Sequence, residues 1–244
     1  MSRTLGWIAA IGLSVGVISL SLAWVIGGRD VRRTIAHSYP ALQSCDDTKV
    51  AVGGPERRLP WTGDDTLDVV LSTPVRLIAS PGSDVVIRGA PETIAHLRLQ
   101  GGHLSADCRW LTTSRPIEIE LPARALRHVR LSGSVKATLE KLSGPELTLT
   151  VSGSGNVQAA GAVERAVATI SGSGDIRLGE LALQRLTVKI SGSGNLEAAP
   201  KDEADLTISG SGTVRLLSRP AALRTKVAGS GRIIQPPVES ADKK

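Results

Sequence analysis

Three groups of residues in this 244-residue chain have types and spacings that bear on chemistry. The first is a recurring serine-glycine phrase: Leu131-Ser132-Gly133-Ser134, Val151-Ser152-Gly153-Ser154-Gly155, Ile170-Ser171-Gly172-Ser173-Gly174, Ile190-Ser191-Gly192-Ser193-Gly194, Ile208-Ser209-Gly210-Ser211-Gly212 and Val227-Ala228-Gly229-Ser230-Gly231. Glycine-rich loops cradle phosphates, and a serine flanked by glycines at a sharp strand-to-helix turn is a nucleophile. Neither chemistry fits. No Lys-Ser/Thr follows any copy, the three-glycine dinucleotide spacing is absent, and no copy reads Gly-x-Ser-x-Gly. The phrase suits a corner instead: glycine takes positive φ at little steric cost, and small serines stack closely while their hydroxyls bond neighbouring backbone. The glycines of all six copies are therefore expected to be structural turn residues.

The second group is Cys45 and Cys108 with His37, His96, His103 and His128. No Cys-x-x-Cys occurs and no metal-ligand spacing links these residues. The cysteines read either as one disulfide formed in an oxidising compartment or as two inert thiols. A bridge closing so long a loop adds roughly 4 kcal/mol in the chain-entropy account. The third group is the residue after each of the last five corners: Asn156, Asp175, Asn195, Thr213 and Arg232. They predict a polar column along one edge. Only one carboxylate belongs to it, which favours a self-satisfying hydrogen-bond ladder over a cation site. The outward acids Asp175, Glu197 and Asp205 occur singly, whereas glycoside cleavage needs a pair. No catalytic residue, metal or cofactor is expected, and the chain reads as a non-enzyme.

The elements that must position these residues follow from the repeat. The aliphatic leaders of the six copies are 20, 19, 20, 18 and 19 residues apart, a solenoid period. Before each corner the sequence alternates: Leu147, Leu149 and Val151, or Leu186, Val188 and Ile190, share one face, with Thr148, Thr187 and Lys189 on the other. After it, alternation resumes with Val157 and Ala159, Ile176 and Leu178, Leu196 and Ala198, Val214 and Leu216 inward. These are strands. A coil of ~19 residues traces about 60 Å, room for three short strands and three corners. Coils stacked about 4.8 Å apart then pair in parallel, giving a β-helix. Residues 62–130 carry further short β units, Leu67–Leu71, Val75–Ile78, Val85–Ile87, Leu97–Leu99, Leu104–Ala106 and Ile117–Leu121, expected to cap the first coil.

The N-terminus is a separate unit. Leu5 to Gly28 runs 24 residues without a charge, long enough to span a hydrocarbon core of ~30 Å, with Trp7 and Trp24 near its ends. It reads as a membrane anchor or as a signal peptide with Ser21-Leu22-Ala23 at the cleavage site. Basic residues are denser on its C-terminal side, which favours a cytoplasmic main domain, whereas a disulfide favours the opposite side. The formal net charge is +6, yet no Lys/Arg run exceeds two and no aromatic follows Trp110, so nucleic acid is not an expected partner. Aromatics are 2% of the chain, so its core must be aliphatic.

The β-rich opening, the Ile119-Glu120-Leu121-Pro122 stretch leading into the first corner, and the repeated Ser-Gly-Ser-Gly-Asp/Asn-aliphatic phrase resemble the putative auto-transporter adhesin head GIN domain family over about residues 65–233. The resemblance implies an all-β, right-handed parallel β-helix behind an N-terminal transmembrane helix or signal, with no established enzyme activity and no catalytic residues. The expected organisation is residues 1–28 anchor, 29–61 stalk, 62–130 capping region, 131–234 repeat β-helix and 235–244 disordered tail. The expected function is a non-catalytic, adhesin-like scaffold of the bacterial envelope, held at the inner membrane with its main domain in the periplasm or at the cell surface. Its partners would be the membrane and a protein or envelope polymer. Two alternatives remain at this stage: a self-assembling structural envelope protein, and a polysaccharide lyase or hydrolase, the latter on fold analogy alone. Val135 in the first copy, and Ala228 and Arg232 in the last, depart from the phrase and are expected to mark end coils.

Overall fold

Successive strands stack because each inward row is aliphatic and each corner is bare of side chains. The computed structural model of the chain describes residues 53–108 and 115–237. They belong to one compact unit, Ser44–Lys244. All fifteen strands join a single sheet. They are β1 (Glu56–Pro60), β2 (Thr66–Val70), β3 (Pro74–Ser80), β4 (Asp84–Arg88), β5 (Leu97–Gln100), β6 (His103–Ala106), β7 (Ile117–Pro122), β8 (His128–Gly133), β9 (Lys136–Gly153), β10 (Asn156–Gly172), β11 (Asp175–Gly192), β12 (Asn195–Gly210), β13 (Thr213–Leu216), β14 (Ala222–Gly229) and β15 (Arg232–Ile234). A helical turn, α1 (Pro91–Ile94), follows β4, and a 3-10 turn (Ala123–Leu126) precedes β8.

The repeat half forms the expected β-solenoid, about five turns in all. Each of β9 to β12 is 16 to 18 residues long and bends round a whole coil. Neighbouring coils pair in parallel, and the register carries the sequence period into space: Val151 meets Ile170, Ile170 meets Ile190, and Ile190 meets Ile208. Those leaders are fully buried, as are Leu149, Ala168, Val188 and Leu206 one row away. Burying each large aliphatic contributes ~1.5–3 kcal/mol, repeated coil after coil. Register shifts interrupt the period between each pair of these coils, and one shows how the extra length is absorbed. Between Leu139 and Leu142, β9 holds two residues where β10 has only Ala160, and Lys141 absorbs the extra length at a φ of 56°.

The opening segment is built into the same stack. β3 lies between β9 and β7, and β2 between β8 and β6, all in parallel. Residues 62–130 thus continue the coils, and the closing role falls to the antiparallel strands β1 and β4 and to α1. The first Ser-Gly copy is accordingly internal, with Leu131 paired to both Val69 and Val151, so Val135 does not mark an end coil. The last copy does lie at the end. Strand β1 occupies the end of the segment expected as stalk; its alternation is masked because Arg57 and Arg58 flank the outward and inward positions alike. Trp61 is buried in the core and donates its indole N–H to the Asp64 carbonyl at 2.9 Å. No helix among the described residues is long and apolar enough to cross a membrane. The apolar run 5–28, Trp110 and most of the tail lie outside the described residues.

The two glycines of each corner serve different needs. Gly192 has a φ of 127°, and a Cβ there would lie 2.3 Å from the Gly172 carbonyl oxygen of the coil before. Gly194 has ordinary φ, but its Cβ would lie 2.5 Å from the Ile170 side chain and 2.6 Å from the Gly174 oxygen. Substituting Gly192→Ala should therefore cost about 3 kcal/mol or more, since strain and a backbone clash add. Gly82→Ala, at an open turn where the new methyl meets only Ser80 Oγ at 3.6 Å, should change stability by less than about 0.5 kcal/mol. Urea denaturation of the two variants checks the contrast.

Candidate functional site

The corners place the polar column. In each coil the backbone N–H of the residue after the corner donates to a carbonyl of the coil before: Asn156 to Val135, Asp175 to Gly155, Asn195 to Gly174, Thr213 to Gly194 and Arg232 to Gly212, at 2.9 to 3.2 Å. The second serine does likewise, with Ser173 N–H donating to the Gly153 oxygen and Ser193 N–H to the Gly172 oxygen, each at 2.9 Å. The corner ladder is thus made by backbone, which fixes the column residues in register whatever their side chains are.

Side chains on the column then pair where chemistry permits. Asn195 Nδ2 donates to Asp175 Oδ1 at 2.8 Å. Two residues further along each strand, a second outward row carries Thr138, Gln158, Arg177, Glu197 and Arg215. Arg215 lies 3.9 Å from Glu197, and Gln158 donates to Glu180 at 3.4 Å. Between the rows run two shallow hollows. One, of about 440 Å³, is lined by Asp175, Arg177, Asn195, Glu197, Thr213, Arg215 and Arg232. The other, of about 310 Å³, is lined by Lys136, Thr138, Asn156, Gln158, Asp175 and Arg177. Asp175 and Arg177 line both, so the hollows adjoin as two sections of a groove crossing the strands. It offers amides, a hydroxyl, carboxylates and guanidiniums at strand spacing, a set suited to many weak hydrogen bonds. General acid catalysis would require a desolvated carboxyl. Here Asp175 accepts from Asn195 and Glu197 faces Arg215 on an open surface.

Towards the N-terminus the same face becomes a charge array. Arg76 reaches Glu140 at 2.7 Å and Glu118 at 3.2 Å; Arg88 reaches Glu120 at 2.6 Å, Glu56 at 3.0 Å and Glu118 at 3.3 Å. The hydrogen bond from Arg76 holds the Glu140 carboxyl below its ordinary value, and Arg58 and Arg88 do the same for Glu56. The Arg76 and Arg88 guanidiniums are in turn pushed up by their carboxylate partners. Their cross-strand partners satisfy these groups, so this end of the face is a clasp between β1, β4, β7, β3 and β9 rather than an open binding surface.

Three histidines are paired with aspartates in ways their sequence spacing conceals: His96 with Asp107 at 2.9 Å, His103 with Asp68 at 3.1 Å and His128 with Asp65 at 3.5 Å. His37 lies outside the described residues. His96, Asp107 and Cys108 come within 4.8 Å of one another. Cys108 is disulfide-bonded, which removes its thiolate as a metal ligand, and Arg98 already pairs with Asp107. Cys45, the chain's other cysteine, lies outside the described residues.

The sequence matches the family described as putative auto-transporter adhesin, head GIN domain, over residues 65–220. The chain belongs to this family. Among solved structures, a putative adhesin from Bacteroides fragilis matches with a TM-score of 0.55 at 15% identity, covering 78% of this chain and 98% of its own. A putative lipid binding protein from Parabacteroides distasonis gives 0.46 at 18% identity, covering 75% and 96%, and a putative adhesin from Parabacteroides merdae gives 0.44 at 16% identity, covering 78% and 98%. The Bacteroides fragilis likeness is one of fold. No curated protein matches the chain. Membership is consistent with a non-enzymatic head domain lying outside the cytoplasm.

The charge array sets a pH dependence. Glu140 and Glu56 have depressed values in the fold, so each stabilises the folded state above the ordinary carboxylate value of 4.5 and loses that contribution as pH falls through its lowered value. The thermal midpoint should therefore drop as pH is taken below about 4.5, and Glu140→Gln should flatten that slope, with little change at neutral pH beyond the loss of one exposed pair. Calorimetry across a pH series reads both.

Proposed function

We propose that the chain is a non-catalytic, adhesin-like binding head of the bacterial envelope, anchored at the inner membrane through residues 5–28. The groove across β9 to β13 binds an extended polar polymer there. The observation that carries this reading is the adjacency of the two hollows, which share Asp175 and Arg177. Hydrogen-bonding groups repeat along it at coil spacing, matching a ligand that is itself repetitive. The disulfide at Cys108 supports an oxidising compartment, and with it a periplasmic or surface-exposed head over a cytoplasmic one. The uncharged run from Leu5 to Gly28 supports retention at the membrane.

A reporter fused after Lys244 tests location: activity of a periplasm-dependent reporter is expected, and activity of a cytoplasm-dependent one would overturn the placement. Retention of the full chain on isolated envelope polymers tests the groove. Arg177→Ala combined with Asn195→Ala removes donors worth ~0.5–1.5 kcal/mol each, so binding should weaken by about tenfold. Unaltered retention would remove the groove from the account.

A further inference from the structure

The two ends of the solenoid are finished differently. At the N-terminal end β1 and β4 run antiparallel over the core, α1 packs beside them, and Ile94, Leu97 and Leu104 are fully buried. At the C-terminal end no described residue covers the last coil. The inward row that holds Ile190 and Ile208 at 0% exposure ends in Val227 at 43%, and Leu223 is 37% exposed where Ala204 is 0%. Among the described residues strand β14 pairs only with β12, in unbroken register from Glu203↔Ala222 to Gly210↔Gly229. Its eight residues leave a row of backbone donors and acceptors that no described strand pairs on the far side. Proteins blunt such edges with short strands, prolines, bulges or charged side chains, and of these β14 has only the cations Arg224 and Lys226.

Charge says what fits this edge. From residue 206 to 237 the chain carries Arg215, Arg219, Arg224, Lys226 and Arg232 and no Asp or Glu. One coil back, one cation of β14 is answered: Arg224 stands opposite Asp205 and pairs with Glu203. Among the described residues no acid plays that part on the open side. A second copy of the chain fits poorly. The antiparallel registers that overlap β14 most fully, with Leu223 and Val227 kept on the core side, set Arg224 against Lys226 or Lys226 against itself, and like charges directly opposed are unfavourable. A lipid surface would satisfy the cations and the apolar rim but would leave the row of backbone groups without partners.

We propose that the C-terminal end of the solenoid is a docking edge that takes an extended acidic segment of a partner protein as one further strand on β14. The partner's carboxylates face Arg224 and Lys226, and its alternate aliphatic residues close the core over Leu223 and Val227. This is strand addition, in which backbone bonds give affinity and the alternate side chains give specificity. It does not depend on the groove, since it uses the end of the stack and not its face.

The test uses the full chain in detergent with three labelled eight-residue peptides: alternating valine and glutamate, the same composition scrambled, and alternating valine and lysine. Fluorescence anisotropy should show binding of the first alone, and hydrogen exchange should show new protection confined to residues 222–229. Lys226→Glu, which stands opposite Thr207 and meets no acid, should weaken the acidic peptide by about tenfold and admit the lysine peptide. Its unchanged thermal midpoint would certify the fold, and the Arg177→Ala, Asn195→Ala groove variant should bind the peptide normally. Equal binding of the scrambled peptide, or indifference to Lys226→Glu, overturns the proposal. So does concentration-dependent self-association without peptide, a tenfold gain on truncation after Pro237, which would make the chain's own tail the occupant, or displacement of the peptide by phosphatidylglycerol vesicles.

Discussion

Parallel strands pair at about 4.8 Å, and a chain can turn a corner at that spacing only if nothing projects between one coil and the next. In this solenoid the carbonyl oxygen of one corner glycine lies where the Cβ of the next would be, within 2.3 to 2.7 Å at Gly153, Gly172, Gly192, Gly210 and Gly229. The rest of the structure depends on that close approach. It lets the corner amides bond the coil before, it brings the aliphatic leaders into one buried column, and it holds the outward polar residues in register. A single methyl group at such a corner has no compensating shift available, because the atom it meets is backbone.

The same constraint is the reason the proposed function is placed on outward surfaces. Among the described residues the interior of the solenoid is lined by aliphatic rows that pack into one core. The solenoid's chemistry is confined to outward rows repeating at coil spacing and to its two ends. On the face, guanidinium–carboxylate pairs consume the charges near β1, β4 and β7, leaving the groove from Lys136 to Arg232 as the open part. At the ends, α1 and the antiparallel pair close one side, while β14 is left unpaired on its outer edge. Family membership as an adhesin-like head domain accords with this division, in which recognition uses extended surface.

The fold of the repeat half was legible in the sequence because one period encodes both the alternation that makes strands and the glycines that make corners. The polar column was legible for the same reason. The layout of residues 62–130 was not: its strands can be read singly, but the placing of Val75 beside Ala137 and of Leu67 beside Val129 is set by tertiary register across some sixty residues, which leaves no local pattern. Strand β1 escaped notice because charged residues obscure its alternation. The His96–Asp107, His103–Asp68 and His128–Asp65 pairs are likewise products of register. The openness of the C-terminal end was half legible: the run of cations without acids is in the sequence, whereas the exposure of Leu223 and Val227, in phase with fully buried residues elsewhere, appears only once the coils are stacked.

Residue-resolved amide hydrogen exchange at the corners tests the central claim most directly, because the corner ladder is a prediction about specific N–H groups. The amides of Asn156, Asp175, Asn195 and Thr213 donate to the preceding coil and should be strongly protected, while that of Ser83, in the open turn before β4, exchanges freely. If those four corner amides exchanged as fast as Ser83, the coils would not be joined through their glycine corners, and the account of core, column and groove would fail together.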